Sequence, residues 1–470
     1  MTDCISRQME LEGLGKRRVE AAFDGGWVSS DGGAILLRET EKRTGLLGQF
    51  AECFIDHRDP ARVEFSKEHL VAQRTLMLAL GYEDLNDHDA LRHDPLLATA
   101  VDVVDPTGMS RKRERDKGIP LAGKSTLNRL ELTPEGVSDT ERYKKIEAVP
   151  SQIEDLLVEH FLDSHEEPLD EIILDLDATD DPLHGKQEGR FFHGYYGHYC
   201  YMPLYIFCDD FLLAAVLRPS NIDGAAGALE EVACIVDKIR ERWPDVRIIL
   251  RADSGFTREP LMVWAEESNV DFILGLARNS RLNEILSDEM ALAREEHDET
   301  GRPARRFKDF WHCTVNSWTQ ERRVVGKAEM LPGKSNPRYV VTSLGSEEWE
   351  AKALYEDLYC ARGDMENRIK EQQLDLFADR TSTHWLYSNQ LRLWMSSVAY
   401  MLVAAMRRLG LKGTKLERAQ AGTIRTRLMK IGAVITVSVR RVRVALSESY
   451  PLQRVFMQIY RNLKSHPLVM

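Results

Sequence analysis

Three acidic side chains stand where the chain could do chemistry. Asp177 closes the apolar run EIILDLD (171–177), Asp253 directly follows VRIILRA (246–252), and Glu366 lies in the helical stretch YCARGDMENRIKEQQ (359–373). Carboxylate oxygens are hard anionic donors, the ligands Mg2+ demands. Two such ions roughly 3.5–4 Å apart neutralise a phosphodiester and activate a water or a 3′-hydroxyl, so three carboxylates gathered by a fold suffice. Along the first run Asp175 and Asp177 share one face while Leu174 and Leu176 take the other. Gly255 lets the chain turn sharply after Asp253, and functional groups gather at strand ends beside crossover loops. A turn-capping role is the alternative account of either aspartate alone. Tyr359, Arg362 and Glu366 fall on one helical face, where an arginine fork and a carboxylate can take phosphate and metal side by side. The alternative is an ordinary salt-bridged helix surface. Gly363 argues against it, since glycine inside such a helix costs about 1 kcal/mol relative to alanine.

The elements that must position these groups are regular in the centre of the chain. Apolar runs at 171–177, 199–207 and 211–217 predict strands, the last two joined as a hairpin at Asp209-Asp210. An amphipathic helix is expected over 223–243 with Ser220 or Asn221 as its cap. A strand at 246–252, a helix at 258–268 and a strand at 270–277 follow. This β-β-β-α-β-α-β order predicts an α/β fold, a mixed sheet with helices on its faces, and is the ribonuclease H-like one. From 278 to 345 the pattern turns to WHCTVNSWT, ERRVVGKAEM and RYVVTSL, a β-strand insertion. A long helix after Ser346, to about Asp375, and an apolar helix near 386–409 complete the core. Residues 1–165 are mainly helical, after a hairpin-like stretch at Asp24-Gly25-Gly26 and Asp31-Gly32-Gly33. One helix there runs from Ser66 to a stop at Gly81. The segment 411–470 is basic and holds the strand-like VITVSVRRVRVAL. The expected division is thus 1–165, a core of 166–277 with 346–410, the insertion 278–345, and 411–470.

Composition narrows the class. The 470 residues suffice for two or three domains, and 43% hydrophobic with 29% charged residues is ordinary for a globular protein. Seven scattered cysteines without a C-x-x-C pair argue against a disulfide framework or zinc ribbon and for a reducing, cytoplasmic setting. Met1-Thr2-Asp3-Cys4 lacks the marks of a secretion signal, and the apolar stretch 393–406 is too short to span a bilayer. No membrane association is expected. A net charge of −12 repels phosphate, yet from Arg407 onward fourteen Lys and Arg face only Glu417 and Glu448, a local excess of about +12. A second basic cluster joins Arg111, Lys112 and Arg113 to Arg115 and Lys117. Such patches permit nucleic-acid contact, or are solvated faces of an acidic protein. Residues 118–125, GIPLAGKS, fit the P-loop pattern, but SRKRERDK before them is no buried strand and Pro120 lacks an N–H for the cradle. No nucleotide cofactor is expected. Ser125 or Thr126 is expected to cap the following helix, with Lys124 and the basic approach facing DNA phosphates.

Asp-x-Thr (177–179), Asp-Ser-Gly-Phe (253–256) and Tyr-x-x-Arg-x-x-x-Glu (359–366) together resemble the motifs of DDE transposases of bacterial insertion sequences. The nearest likeness is to the insertion-sequence thirteen-eighty family, in DDE domain group 1. FDGGWVSSDGGAILLRE (23–39), LALGYEDLNDHDALRHDP (78–95), STLNRLE (125–131) and SVRRVRVAL (438–446) extend it over nearly the whole chain. The resemblance implies a ribonuclease H-like catalytic domain whose Asp177, Asp253 and Glu366 bind two Mg2+ ions, with Mn2+ as a substitute. It implies an N-terminal region that binds terminal inverted repeats, cut-and-paste movement of double-stranded DNA into a target, and a homodimer that pairs two ends in the nucleoid. Tyr359 and Arg362 would grip phosphate. The lysine that a related signature carries seven positions after the glutamate is Gln373 here, and Lys370 is the nearest substitute. Trp311 or Trp318 either stacks on a flipped base or belongs to the core of the insertion. His193 and His198 contact DNA or are ordinary loop histidines. An inactive, DNA-binding regulator is the alternative function, and the intact acidic triad argues against it.

Overall fold

The computed structural model describes residues 8–138, 140–315 and 317–469; Met1–Cys4, considered above for targeting, and Asn316 of WHCTVNSWT lie outside the described residues. The chain divides into two compact units, one of Met1–Val149, Asp375–Phe377 and Val398–Met470, the other of Pro150–Leu374 and Ala378–Ser397.

The second unit is built on a nine-stranded mixed sheet. Its main strands are β1 (Glu171–Ala178), β2 (Leu204–Cys208), β3 (Phe211–Val216), β4 (Arg247–Ala252), β5 (Asp271–Leu276), β6 (Ala304–His312), β7 (Arg322–Leu331) and β8 (Arg338–Thr342). They lie in the order β3-β2-β1-β4-β5-β8-β7-β6, with Lys334–Ser335 paired to β7. β1, β4 and β5 run parallel and the remaining neighbours antiparallel. Apolar side chains alternate to both faces, as strands buried on two sides require. On one face Leu174, Leu176, Ile248, Leu250, Phe272 and Leu274 pack against helices α1 (Ala228–Arg242) and α2 (Glu259–Glu267). On the other, Ile249, Ile273, Val325 and Val340 pack under Leu354, Tyr355 and Leu358 of a helical run through 351–375.

Three sequence expectations change here. The run 199–207 is two strands: His198–Tyr201 joins a small sheet with Asp181–Pro182 and Phe191–His193, and only Leu204–Cys208 enters the large one. Pro203, which cannot donate to a ladder, stands at the break. Helix α1 starts at Ala228 after Gly227 in the left-handed region (φ 76°), not near 223, and neither Ser220 nor Asn221 caps it. The Ser220 hydroxyl donates instead to the Phe191 carbonyl at 3.1 Å. The segment 278–345 is not all strand: helices Ser280–Ile285 and Ser287–Thr300 come first, and β6, β7 and β8 then extend the large sheet beyond β5. The second helix buries only Ala293 among its side chains, so it lacks the apolar stripe that periodicity detects.

In the first unit helix Lys67–Leu80 has Ser66 accepting from the His69 N–H at 3.3 Å and ends at Gly81 with φ 95°, as expected. The early glycines make no hairpin. The hairpin lies before them, Gln8–Leu14 with Arg17–Ala22, and Trp27–Ser29 pairs with Ala433–Ser438 near the other end of the chain. Gly32 and Gly33 let backbones meet, their N–H groups donating to Ile431 and Met429 carbonyls at 2.8 and 3.0 Å. VITVSVRRVRVAL is itself a hairpin, Ala433–Ser438 with Arg441–Leu446. Neither Ser125 nor Thr126 is a cap, because helix Lys124–Glu131 already begins at Lys124, after Gly123. Cys200, Cys208, Cys234, Cys313 and Cys360 are free thiols. Helix Leu386–Leu409 is largely buried, and among the described residues no helix is long and apolar enough to cross a membrane.

A Cβ on Gly33 would stand 1.9 Å from the Leu428 carbonyl oxygen, whereas one on Gly48, inside a helix, meets nothing within 4 Å. Gly33→Ala is therefore expected to cost about 1–3 kcal/mol in urea unfolding. Gly48→Ala should gain about 0.5–1 kcal/mol.

Candidate active site

Asp177 and Asp253 reach one edge of the large sheet, the rim formed by the C-terminal ends of its inner strands, because β1 and β4 are parallel neighbours, in register through Leu176 and Ala252. Each aspartate follows that pair by one residue, so both project from the same face. Local amides hold them. Asp177 Oδ1 accepts from the Ala178 N–H at 3.0 Å, and Asp253 Oδ1 from the Gly255 N–H at 2.8 Å.

Two residues back along each strand, on the same face, lies a side chain that the sequence reading passed over. Arg251 Nε and Nη2 donate to the two oxygens of Asp175 at 2.6 and 2.7 Å, and Nη1 donates to the Leu358 carbonyl at 2.6 Å. All three partners are buried. This buried cation ties β1, β4 and the covering helical run together just before Tyr359. The run is a π-turn through Leu354–Tyr359, a 3-10 turn through Cys360–Arg362 and an α-helix from Gly363 to Lys370. π-Turns of this kind are frequent at functional sites.

Downstream of that anchor the helix face meets the aspartates. Arg362 Nη2 donates to Glu366 Oε1 at 2.6 Å, while its Nη1 stands 3.9 Å from Asp177 Oδ2. The Tyr359 hydroxyl occupies the space over Gly275 of β5: a Cβ there would be 2.5 Å from Tyr359 Oη and 2.9 Å from the Ser254 nitrogen. Burial pushes the Asp177 carboxyl up to about 7; Arg362 opposes this, and the neighbouring Asp253 and Glu366 charges add to it. Burial also raises the Tyr359 phenol and opposes the charge on Arg362, which Asp177, Tyr359, Glu366 and Asp253 nevertheless hold above its ordinary value. The five groups share one electrostatic field.

The donor set suits a hard divalent cation: three carboxylates, with two supplied by adjacent strand ends. Among the described residues, however, no three carboxylate, imidazole or thiol groups are gathered closely enough to hold an ion as they stand. Arg362 is the cation between Asp177 and Glu366 in this conformation.

The other expected contacts fare differently. Lys370 is exposed, one helical turn beyond Glu366, and Gln373 Nε2 donates to the Asp180 carbonyl at 3.2 Å. Trp311 is 69% exposed on the edge strand β6. Five strand spacings separate β6 from β1, roughly 24 Å, so the fold does not gather Trp311 with the carboxylates. Trp318 packs against the core, with the Arg322 guanidinium 5.6 Å from its ring centre. His198 Nε2 lies 2.8 Å from Asp180 Oδ2. In the first unit the Arg111 guanidinium is spent on the carbonyls of Ile119, Glu64 and Pro120. Lys112 is exposed, Arg113 is exposed 3.4 Å from Glu64, and Lys124 lies 3.4 Å from Asp89. The P-loop-like stretch follows a 3-10 turn at Glu114–Asp116, not a strand. Two positioning residues, Arg251 and Gly275, were missed. Their signals were an arginine two before Asp253 and a glycine inside a strand.

The family model described as transposase DDE domain group 1 matches residues 11–468, and the chain belongs to that family. No curated protein matches it in sequence. One similar solved structure is a cryo-EM structure of a piggyBac transposase synaptic complex with hairpin DNA, at 12% identity and a TM-score of 0.42, covering 84% of this chain and 79% of that one. So distant a likeness carries no argument about the site.

Two outcomes test this geometry. Ionising Asp177 costs the folded state nothing below its ordinary 3.8 and progressively more as pH climbs to about 7. Asp177→Asn should therefore melt higher than the parent in metal-free buffer, the gap opening between pH 4 and 7 and staying level above. Arg251→Met strands a buried Asp175 and should cost about 3–5 kcal/mol in urea unfolding, most of it recovered by adding Asp175→Leu.

Proposed function

We propose that this transposase DDE domain group 1 protein cuts DNA at terminal inverted repeats and joins the freed ends to a target, with Asp177, Asp253 and Glu366 as its reactive carboxylates. The observation that carries this is the meeting of two strand-end aspartates with the Tyr359–Arg362–Glu366 helix face at one sheet edge. The order β3-β2-β1-β4-β5, with β2 antiparallel to both neighbours, supports a ribonuclease H-like core. The motif set supports kinship with the thirteen-eighty insertion sequences of bacteria.

Asp177, Asp253 and Glu366 would hold the divalent cations, Mg2+ or Mn2+ in its place. Bound there, such ions neutralise the scissile phosphodiester and activate a water or 3′-hydroxyl. The chain's own groups do the positioning. Arg362 releases Glu366 and turns its planar fork to a phosphate, exchanging one anionic partner for another. The Tyr359 hydroxyl, fixed over Gly275, donates to the same strand, and exposed Lys370 meets the backbone one turn along. Exposed Lys112, Arg113 and Lys124 support backbone contacts from the first unit, a role Arg111 is too committed to share. Pairing of two ends makes a homodimer on double-stranded DNA the working assembly.

The decisive measurement is nicking of DNA that carries the element ends, with Mg2+ or Mn2+. Asp253→Ala and Glu366→Gln should abolish nicking and leave end binding unchanged. A parent protein that binds ends but nicks with neither ion is a regulator, and activity that needs ATP and Lys124 would restore the P-loop alternative.

A further inference from the structure

The segment RFFHGYYGHY (190–199) takes no part in the site as described. It forms a hairpin of Phe191–His193 and His198–Tyr201, paired on its far side with Asp181–Pro182. Asp181 comes four residues after Asp177, so the hairpin grows out of the chain leaving the carboxylate edge. The His198–Asp180 contact fastens it there. The Tyr196 ring lies against the His193 and His198 rings beside the turn of the hairpin, 4.9 and 6.1 Å between centres.

The rest of the hairpin is aromatic and open. Phe191 is 42%, Phe192 58%, Tyr195 87% and Tyr199 43% exposed. The Phe192 and Tyr199 rings meet edge to face at 5.6 Å, Tyr195 and Tyr196 do so at 5.1 Å, and the Arg190 guanidinium lies 3.9 Å over the Tyr199 ring. An exposed apolar patch of this density marks a contact surface. Flat rings joined by a guanidinium, with no acid between 190 and 199, match one ligand well: a nucleobase whose face is free, on an anionic strand. Paired bases hide their faces, so the match is to unpaired ones.

We propose that the hairpin 190–199 is a stacking platform for unpaired bases of the DNA strand held at the Asp177–Asp253 edge. This rests on the DNA-cutting function proposed above. It gives the hairpin the stacking role considered for Trp311 and Trp318, of which one lies roughly 24 Å from β1 and the other packs against the core.

The test uses the full chain and two short end-bearing duplexes, one blunt and one with a three-nucleotide overhang carrying 2-aminopurine. The parent should prefer the overhang and quench its fluorescence. Tyr195→Ala and Phe192→Ala, both at exposed positions that spare the core, should each cut that preference about tenfold. Tyr195→Trp should keep it. Asp253→Ala should keep it too while losing nicking, which separates platform from chemistry. Equal binding of both duplexes by a parent that nicks overturns the platform alone, as does unchanged preference in the alanine variants. So does loss of self-association in those variants, by sedimentation, with the preference intact. A parent that neither binds nor nicks DNA overturns both proposals.

Discussion

The buried Arg251 guanidinium is the interaction on which the rest of the second unit depends. A lone charge there would be expensive, since removing an ion from water costs several kcal/mol even after relaxation. Arg251 is tolerable only because a bidentate carboxylate and a carbonyl take its donors, and those partners come from two elements other than its own strand. The demand to satisfy one cation therefore fixes the register of β1 against β4 and the height of the covering helix over both. A slip of one residue would turn Asp175 and Asp177 to the opposite face and leave Arg251 stranded. Asp175 shows the same strain, its carboxyl raised by burial although Arg251 grips it.

One level nearer the sheet edge the balance reverses. Asp177, Asp253 and Glu366 form an anionic group that the protein completes only in part, with Arg362 as the internal counter-charge. The apolar base of the same helical run, Leu354, Tyr355 and Leu358 on Ile249, Ile273 and Val340, supplies the rigid seat. The helix is thus apolar where it sits on the sheet and charged where it meets the aspartates.

Much of this was legible in the residues. Long apolar runs ending in aspartate announced β1 and β4, and the spacing of Tyr359, Arg362 and Glu366 announced a shared face. What the sequence hid was pairing between distant segments. Nothing in LRADSGF says that Arg251 will meet Asp175, because alternation gives the face but not the neighbour. Trp27–Ser29 pairs with a strand about 400 residues later, which no local pattern records. The charge-rich helix Ser287–Thr300 has too little buried surface to leave a period, and Pro203 was a strand break in plain sight. The aromatic hairpin left no strand signal because its two arms are only three or four residues long around Gly194 and Gly197.

Gly275 carries a last consequence. Its missing side chain is the volume that the Tyr359 hydroxyl fills, so β5 and the helix share a single allotment of space across 84 residues of sequence. Neither position is free to drift by itself. A relative with a bulkier residue at the first must carry a shorter one at the second, and the two should covary as a linked pair even though no covalent or charged bond joins them.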